Sequence, residues 1–315
     1  MNKPLDSTHS ENQPSIVTRR SFLRRAGIGA GVAAMAPALM QALATPTAQA
    51  ATTTKSVKQD IAILNFALNL EYLEGDFYTY ATEGKDITAF GIAVDGSGSA
   101  GASTVKTTGS TLVPFVTPII AQYAAEIARD ERAHVRTLRN AVTALGGTPV
   151  SRPKINLVDS FNTLASAAGI GSAFDPFADE TSFLLGAFIF EDVGVTAYKG
   201  AAALISNPNI LTAAAGFLSV ESYHAAEVRT VLLRMSQTNA AIPGIVEQIS
   251  SLRRALSGAN DDQGILFDNL ANVVPTDDNG LTYSRTTDQI LRIVYGNTAK
   301  SPGLFFPSGL NGDIR

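Results

Sequence analysis

The sequence predicts an all-α protein built around a bundle of four long helices. Amphipathic patterns with helical spacing fill most of the chain beyond residue 56, and convincing strand-like alternation is absent. Helix signals also recur in the order that a bundle needs, with capping residues or Pro at the starts and Gly at several ends. Together these observations favour packed helices over any sheet-based architecture.

The four long helices are predicted from these start and stop signals. They span about 57–82, 117–146, 179–206 and 208–237. Thr117-Pro118 and Asn207-Pro208 each supply a capping residue followed by Pro at the first helical position. The short junction at Asn207 makes the last two helices antiparallel neighbours, whereas the connection 148–177, with a short helix near 158–168, allows a crossover. A Gly/Ser/Thr-rich loop is predicted at 91–111.

Residues 241–315 are predicted to form a helical extension to a bundle domain at 51–240. Helices are expected at about 242–256 and 286–296, and Thr286 with Gln289 forms a capping box at the start of the second. The last segment is rich in turn residues but contains Phe305 and Phe306. We expect this tail to pack on the bundle, because both rings would otherwise be exposed.

Residues 1–50 are predicted to be a cleaved export signal. "TRRSFLR" contains the twin arginines Arg19 and Arg20, a weakly apolar Ala/Gly-rich stretch follows, and "AQA" at 48–50 fits a cleavage site. Pro37 and the Gly/Ala content disfavour a membrane anchor. The expected location of the mature protein is therefore the periplasm or the cell exterior, without a transmembrane anchor.

The charge balance and the lack of cysteine restrict the function. Residues 1–50 carry five basic and two acidic side chains, so their removal takes the formal net charge from −4 to −7. An acidic protein of this kind offers no basic patch for nucleic acid or anionic lipid. The chain has no Cys, so a metal ion would have to be held by carboxylates and imidazoles.

Both histidines that remain after removal of the signal follow a glutamate at the same spacing. Glu131 and His134 lie in "ARDERAHVRT", and Glu221 and His224 lie in "SVESYHAAEV". Residues at i and i+3 project from one helix face, so both members of each pair can contribute to the same metal site. A single pair of this kind is weak support for a site, but its repetition on two predicted helices is specific.

The first and third long helices each place one glutamate in the middle of an apolar stripe. Glu71 lies in "LNFALNLEYLEGDFY" and Glu191 in "LGAFIFEDVGVTAY", each seven residues before a tyrosine. A buried carboxylate needs a cation, a proton or hydrogen-bond donors. Four carboxylates and two imidazoles from four helices suit iron or manganese. The sequence therefore predicts two iron or manganese ions bound by Glu71, Glu131, His134, Glu191, Glu221 and His224.

Several neighbouring residues have two interpretations. Glu74 could replace Glu71 as a ligand, although we favour a surface position because it lies off the centre of the stripe. Glu227 is either a seventh ligand or a solvated side chain. Asp130 and Asp192 either orient an imidazole by accepting a hydrogen bond or are surface charges.

The two tyrosines of the stripes also have two interpretations. Tyr78 and Tyr198 either donate hydrogen bonds to the ligands, with the capacity for radical chemistry, or simply fill the core. We favour the core role.

The chain resembles the ferritin-like di-metal carboxylate superfamily, which includes ferritins, rubrerythrins and manganese catalases. Over most of 57–312 it is more narrowly similar to the desiccation-related, ferritin-like domain family, on "LNFALNLEYLEGDFY", "VPTDDNGLTYSRT" and "FFPSGLNG". The resemblance implies a ferritin-like bundle. It also implies that Glu71 and His134 bind one ion, Glu191 and His224 bind the other, and Glu131 and Glu221 bridge the two.

Two functions fit this site. The first is an exported redox enzyme that acts on oxygen, peroxide or ferrous iron in stress protection. The second is a metal-binding or structural stress protein without turnover. An open route to the metals favours the enzyme, and a bulky plug favours the second function. The long loop and the extension argue against a storage cage, a homodimer is compatible with them, and both iron and manganese accept this ligand set.

Overall fold

Helices dominate the computed structural model, which describes residues 56–106 and 109–315. The helices are α1 (Val57–Glu83), α2 (Pro118–Ala144), α3 (Asp159–Ala168), α4 (Glu180–Ala202), α5 (Pro208–Met235), α6 (Ile242–Ser257) and α7 (Thr287–Tyr295). A parallel pair, β1 (Ser103–Thr104) and β2 (Ile155–Asn156), and an antiparallel pair, β3 (Leu266–Phe267) and β4 (Leu270–Ala271), complete the fold together with a 3-10 turn at Ile87–Phe90. The all-α prediction is confirmed. No helix in this part of the chain combines the length and hydropathy needed to cross a bilayer, and the predicted export signal lies outside the described residues.

Most of the predicted helix starts are formed by the expected side chains. Asn207 caps α5 by accepting from two backbone N–H groups, and Thr286 and Gln289 form the capping box of α7. Thr117 was expected to cap α2, but its side chain makes no capping hydrogen bond. Instead the Glu180 carboxylate accepts from the backbone N–H and the hydroxyl of Thr117, at 3.0 and 2.7 Å. The start of α4 therefore fixes the start of α2.

Contacts between the long helices define an up-down-down-up bundle. Arg132 and Arg139 of α2 donate to Thr79 and Tyr72 of α1, so sequence order is reversed between these two helices. Asp60, near the start of α1, accepts from the backbone N–H groups of Ser206 and Asn207, just beyond the end of α4. Helix α4 is thus antiparallel to α1 and parallel to α2. The connection that contains α3 therefore crosses over along the bundle.

The C-terminal segment covers the outer face of the bundle. Phe305 is buried, and its ring lies 5.4 Å from that of Phe161 and 5.0 Å from that of Phe190. Asn311 is paired with Asn69 of α1 through two hydrogen bonds of 2.9 and 3.0 Å. Every residue of α1 from 71 to 79 is also buried.

A buried network of ion pairs joins α4 and α5 to the extension. Asp192 of α4 binds Arg229 of α5 and Arg253 of α6, each at 2.9 Å. Arg253 and Arg285 in turn bind Asp262, each at 2.8 Å. Removal of one partner from such a network leaves an uncompensated buried charge, so the network holds these segments in one arrangement.

Candidate metal centre

Six side chains from the four long helices meet in the middle of the bundle. All are buried, and the four glutamates have at most 1% of their surface exposed. Their possible ligand atoms form two groups in which all atoms lie within 4.8 Å of one another. The first group is Glu71, Glu131, His134 and Glu221, and the second is Glu131, Glu191 and His224. Glu131 belongs to both groups, so one carboxylate joins two neighbouring positions.

His134 defines the first group. Its Nδ1 lies 3.4 Å from Glu71 Oε2, 3.3 Å from Glu131 Oε2 and 3.4 Å from Glu221 Oε1. Helix α2 supplies the pair Glu131 and His134, whereas Glu71 comes from α1 and Glu221 from α5. Three helices therefore contribute to this group.

His224 defines the second group. Its Nδ1 lies 3.1 Å from Glu131 Oε1 and 3.6 Å from Glu191 Oε2. Its other nitrogen, Nε2, lies 3.5 Å from Asp130 Oδ2. Asp130 is thus placed to orient the imidazole, which is the first of the two roles considered for it.

The two tyrosines cross between α1 and α4. The Tyr78 hydroxyl of α1 donates to Glu191 of α4, and the Tyr198 hydroxyl of α4 donates to Glu71 of α1. The preference for plain core tyrosines was therefore wrong, because each hydroxyl is bonded to one of the candidate ligands. These bonds fix one oxygen of each carboxylate and leave the other directed at the cluster.

The unpaired atoms of the cluster show that its residues fit metal ions. Among the described residues, eleven buried side-chain nitrogen and oxygen atoms lack a hydrogen-bond partner, and nine belong to these six side chains. Buried polar groups are normally paired, and a concentration of unpaired oxygen and nitrogen atoms is typical of a ligand set. Most of these atoms face one another within the two groups, whereas His224 Nε2 faces Asp130. Two divalent cations would balance the charge of four carboxylates beside two neutral imidazoles.

Burial and mutual repulsion make the cluster hold protons in the absence of metal. Burial raises the pKa of Glu71 and Glu191, and it raises the pKa of Glu221 to about 7, with a further contribution from Glu131. Burial opposes the charged form of His134, but the adjacent Glu71 and Glu131 carboxylates raise its pKa overall. Burial would likewise raise the pKa of Glu131, yet the two imidazoles lower it.

Gly194 lies against the cluster, a placement that the sequence motifs do not indicate. A Cβ atom at Gly194 would lie 2.2 Å from Glu221 Oε2 and 3.6 Å from Glu74 Oε1. The absence of a side chain on this turn of α4 therefore lets Glu221 reach the cluster. An isolated Gly inside a strongly apolar helix pattern is the signal that could have drawn attention to it.

Glu74 is buried next to the cluster, with 6% of its surface exposed. The predicted surface position was wrong, because Glu74 faces the interior of the bundle beside Glu221 and Gly194. Burial raises the pKa of Glu74, as do the carboxylates of Glu221 and Glu131. It is not part of either group of closely spaced ligand atoms.

Asp192 has neither of the roles that the sequence suggested. Its carboxylate is buried and binds Arg229 and Arg253 rather than an imidazole. Since it follows Glu191 directly, it links that candidate ligand to the ion-pair network of the extension. The two arginines that bind it lie about forty to sixty residues further along the chain, so no local pattern indicated the pairing.

One side of the cluster is open and the other is covered. A surface cavity of about 580 Å³ between α2 and α5 has His224 in its wall together with Glu126, Asp130 and Glu227. We call this cavity the vestibule. Glu227 is half-buried in its wall, which leaves both of its predicted roles open. On the other side, Phe217 packs edge-on against the His134 ring at 4.8 Å.

A comparison with known proteins agrees with this geometry. A family model described as a ferritin-like domain matches residues 59–234, which include all six candidate ligands. The chain belongs to the ferritin-like family. This ferritin-like chain is 30% identical over 274 residues to "Desiccation-related protein PCC13-62" of Craterostigma plantagineum, a match that covers 81% of the chain and 84% of that protein. It is also 30% identical over 281 residues to "Ferritin-like catalase Nec2" of Nesocodon mauritianus, with the same coverage.

Proposed function

We propose that this ferritin-like protein binds two iron or manganese ions and uses them to remove hydrogen peroxide. The observation that carries the proposal is the buried set of four carboxylates and two imidazoles, whose ligand atoms form two closely spaced groups and lack hydrogen-bond partners. The relative named as a ferritin-like catalase supports the choice of reaction.

The six candidate ligands would be shared between the two ions. Glu71, His134 and Glu221 would hold one ion, Glu191 and His224 would hold the other, and Glu131, which belongs to both groups, would contribute to both. A pair of redox-active ions supplies two electrons, one from each ion. Tyr78 and Tyr198 keep Glu191 and Glu71 oriented through their hydroxyl groups.

The electrons and protons of the proposed reaction balance between two peroxide molecules. One molecule loses two electrons and two protons and leaves as dioxygen, and the second accepts them and leaves as two waters. Glu74 is buried beside Glu221 and has a raised pKa, so it is a group that can hold a proton during this exchange.

The vestibule favours an enzyme over a protein without turnover. Its wall includes His224, so a polar molecule as small as peroxide can reach the edge of the cluster from solvent. Ferrous oxidation would use the same opening, and the acidic side chains of Glu126, Asp130 and Glu227 suit a cation.

The first test is the metal content per chain, measured by elemental mass spectrometry, with peroxide removal followed as oxygen release. We expect close to two ions in the wild type and depletion in His134→Ala and His224→Ala, together with loss of oxygen release. Asp278→Asn, which removes an exposed carboxylate, is the matched control and should leave both values unchanged.

Two outcomes would change the proposal. A wild-type protein that stays free of metal after anaerobic reconstitution would refute the metal centre. A protein with two ions but no oxygen release from peroxide would favour the second function, a metal-binding desiccation or stress protein, which the name of the other relative supports.

We also propose that the chain is exported through the twin-arginine route to the periplasm or the cell exterior. The support is Arg19-Arg20, the weakly apolar stretch and "AQA" at 48–50. Residues 1–50 fused to a folded reporter should direct it out of the cytoplasm, and replacement of both arginines by lysine should retain it. Export of the lysine variant would contradict the assignment.

A further inference from the structure

A second, apolar cavity lies between the four long helices, on the opposite side of the cluster from the vestibule. Its volume is about 40 Å³, and all four long helices contribute to its wall. Its lining includes Leu64, Ala67, Ala141, Ala201, Ala214 and Phe217. On α2 and α5 the cavity is lined by residues after His134 and before Glu221, whereas the vestibule lies mainly toward the start of α2 and the end of α5.

The cavity meets the cluster at Glu71 and Glu74. These two carboxylates belong to its wall, which is otherwise almost entirely aliphatic and aromatic. Glu71 is a candidate ligand, and Glu74 lies beside Glu221 across from Gly194. A molecule in the cavity would therefore be next to the metal centre without passing through the vestibule.

The size and polarity of the cavity select its occupant. One water molecule needs roughly 10–15 Å³ of such space, so the cavity is large enough for a diatomic molecule. A buried water also needs two to four polar partners, and most of this wall offers none. Apolar internal cavities bind small uncharged molecules such as xenon. Cations and anions are excluded by the cost of their desolvation.

We propose that this apolar cavity is a binding site for dioxygen beside the metal centre. The inference rests on the proposed function, in which dioxygen is a product of peroxide removal or a reactant in ferrous oxidation. It adds a separate location for the gas, so that polar reactants use the vestibule at His224 and dioxygen uses the cavity at Glu71 and Glu74.

The experiment uses xenon as a probe of the same size class and polarity. Crystals of the metal-loaded protein under xenon pressure should show anomalous density between Ala67 and Ala214. Ala214→Leu places a larger side chain in the cavity and should abolish that density. Ala67→Val is a milder variant, in case the longer side chain prevents folding. Ala215→Leu is the matched control, because Ala215 is the exposed neighbour on the same helix.

The measurement on dioxygen itself compares the same variants. Both filling variants should keep two ions per chain yet need more dioxygen for half-maximal oxygen consumption by the ferrous-loaded protein, while Ala215→Leu should match the wild type. A wild type with two ions and no xenon density would overturn the inference and leave the proposed function intact. An unchanged dependence on dioxygen in a variant without xenon density would also overturn it. Xenon in a protein that binds no metal would overturn the assignment to dioxygen, because no redox centre would adjoin the cavity.

Discussion

At the scale of single residues, the contact between Gly194 and Glu221 decides whether the fourth carboxylate reaches the cluster. A Cβ atom on Gly194 would lie 2.2 Å from Glu221 Oε2, a separation that side chains in proteins do not tolerate. Glu221 cannot keep its place when this position carries a methyl group. The effect on the metal centre should therefore be much larger than the effect on the helix.

We expect Gly194→Ala to weaken metal binding by about 10–100-fold, a loss comparable to that from disturbing groups around a metal site. In a helix interior, Ala is favoured over Gly by about 1 kcal/mol, so the helix itself should be retained. Competition with a chelator measures the affinity. The control is Gly216→Ala on α5, where a Cβ atom would meet nothing within 4 Å. Equal affinities for the two variants would show that the approach of Glu221 to Gly194 does not matter.

At the scale of helices, the ion-pair network fixes α4 relative to the extension. Asp192 joins Arg229 and Arg253 directly after the candidate ligand Glu191. The same arginines lie over the Phe188 ring, at 5.1 and 4.4 Å from its centroid. The extension thus contacts the turn of α4 that carries the candidate ligand Glu191.

Asp192→Asn should destabilise the protein by about 3–5 kcal/mol, the usual cost of breaking a buried ion pair by removing one partner. Urea unfolding of the metal-free protein measures this change without a contribution from metal binding. Asp278→Asn, at an exposed position, should stay within about 0.5 kcal/mol of the wild type. A loss of similar size in both variants would assign the effect to net charge instead of the network.

The helices also show what the sequence could and could not predict. Local signals placed the seven helices, and the spacing of Glu131 with His134 and of Glu221 with His224 placed both pairs on inward faces. Glu74 was misplaced even though it lies three residues after Glu71 and four before Tyr78, a spacing that puts all three on one helix face. Every residue of α1 from 71 to 79 is buried, so this part of the helix has no solvent face. The sequence could not show the contacts that complete this burial, such as that of Asp76 with Arg152, because these residues lie 76 positions apart and leave no local pattern.

At the scale of the whole molecule, the protonated cluster sets how stability and metal binding depend on pH. Burial raises the pKa of Glu221 from 4.5 to about 7 in the metal-free protein, so the folded state binds this proton more tightly than the unfolded state. Protonation of Glu221 therefore adds on the order of 3 kcal/mol to the free energy of unfolding. This contribution is fully present below pH 4.5 and is lost as the pH rises through about 7. The pKa values of Glu71, Glu191 and His134 are also raised, so these groups likewise lose stabilising free energy as the pH rises.

We therefore expect the Tm of the metal-free protein to fall between about pH 5 and about pH 8. Metal ions compete with the same protons, so their affinity should rise with pH, and loading should release protons into a weakly buffered solution. Calorimetric scans of the metal-free protein across this pH range measure the fall in Tm, and scans with metal measure how the affinity changes with pH. A metal-free Tm that increases over this range would contradict the assignment of raised pKa values to the cluster.

The pairing of Asn69 with Asn311 joins residues that are 242 positions apart in the chain. At about 5–20 residues per second, roughly 10–50 s separate the synthesis of the first residue from that of the second. During that time α1, which contains Glu71, lacks the C-terminal segment that later packs on it. The candidate ligands end at His224, so the metal centre is synthesised before the segment that packs on α1, and its final surroundings form only when translation is almost complete.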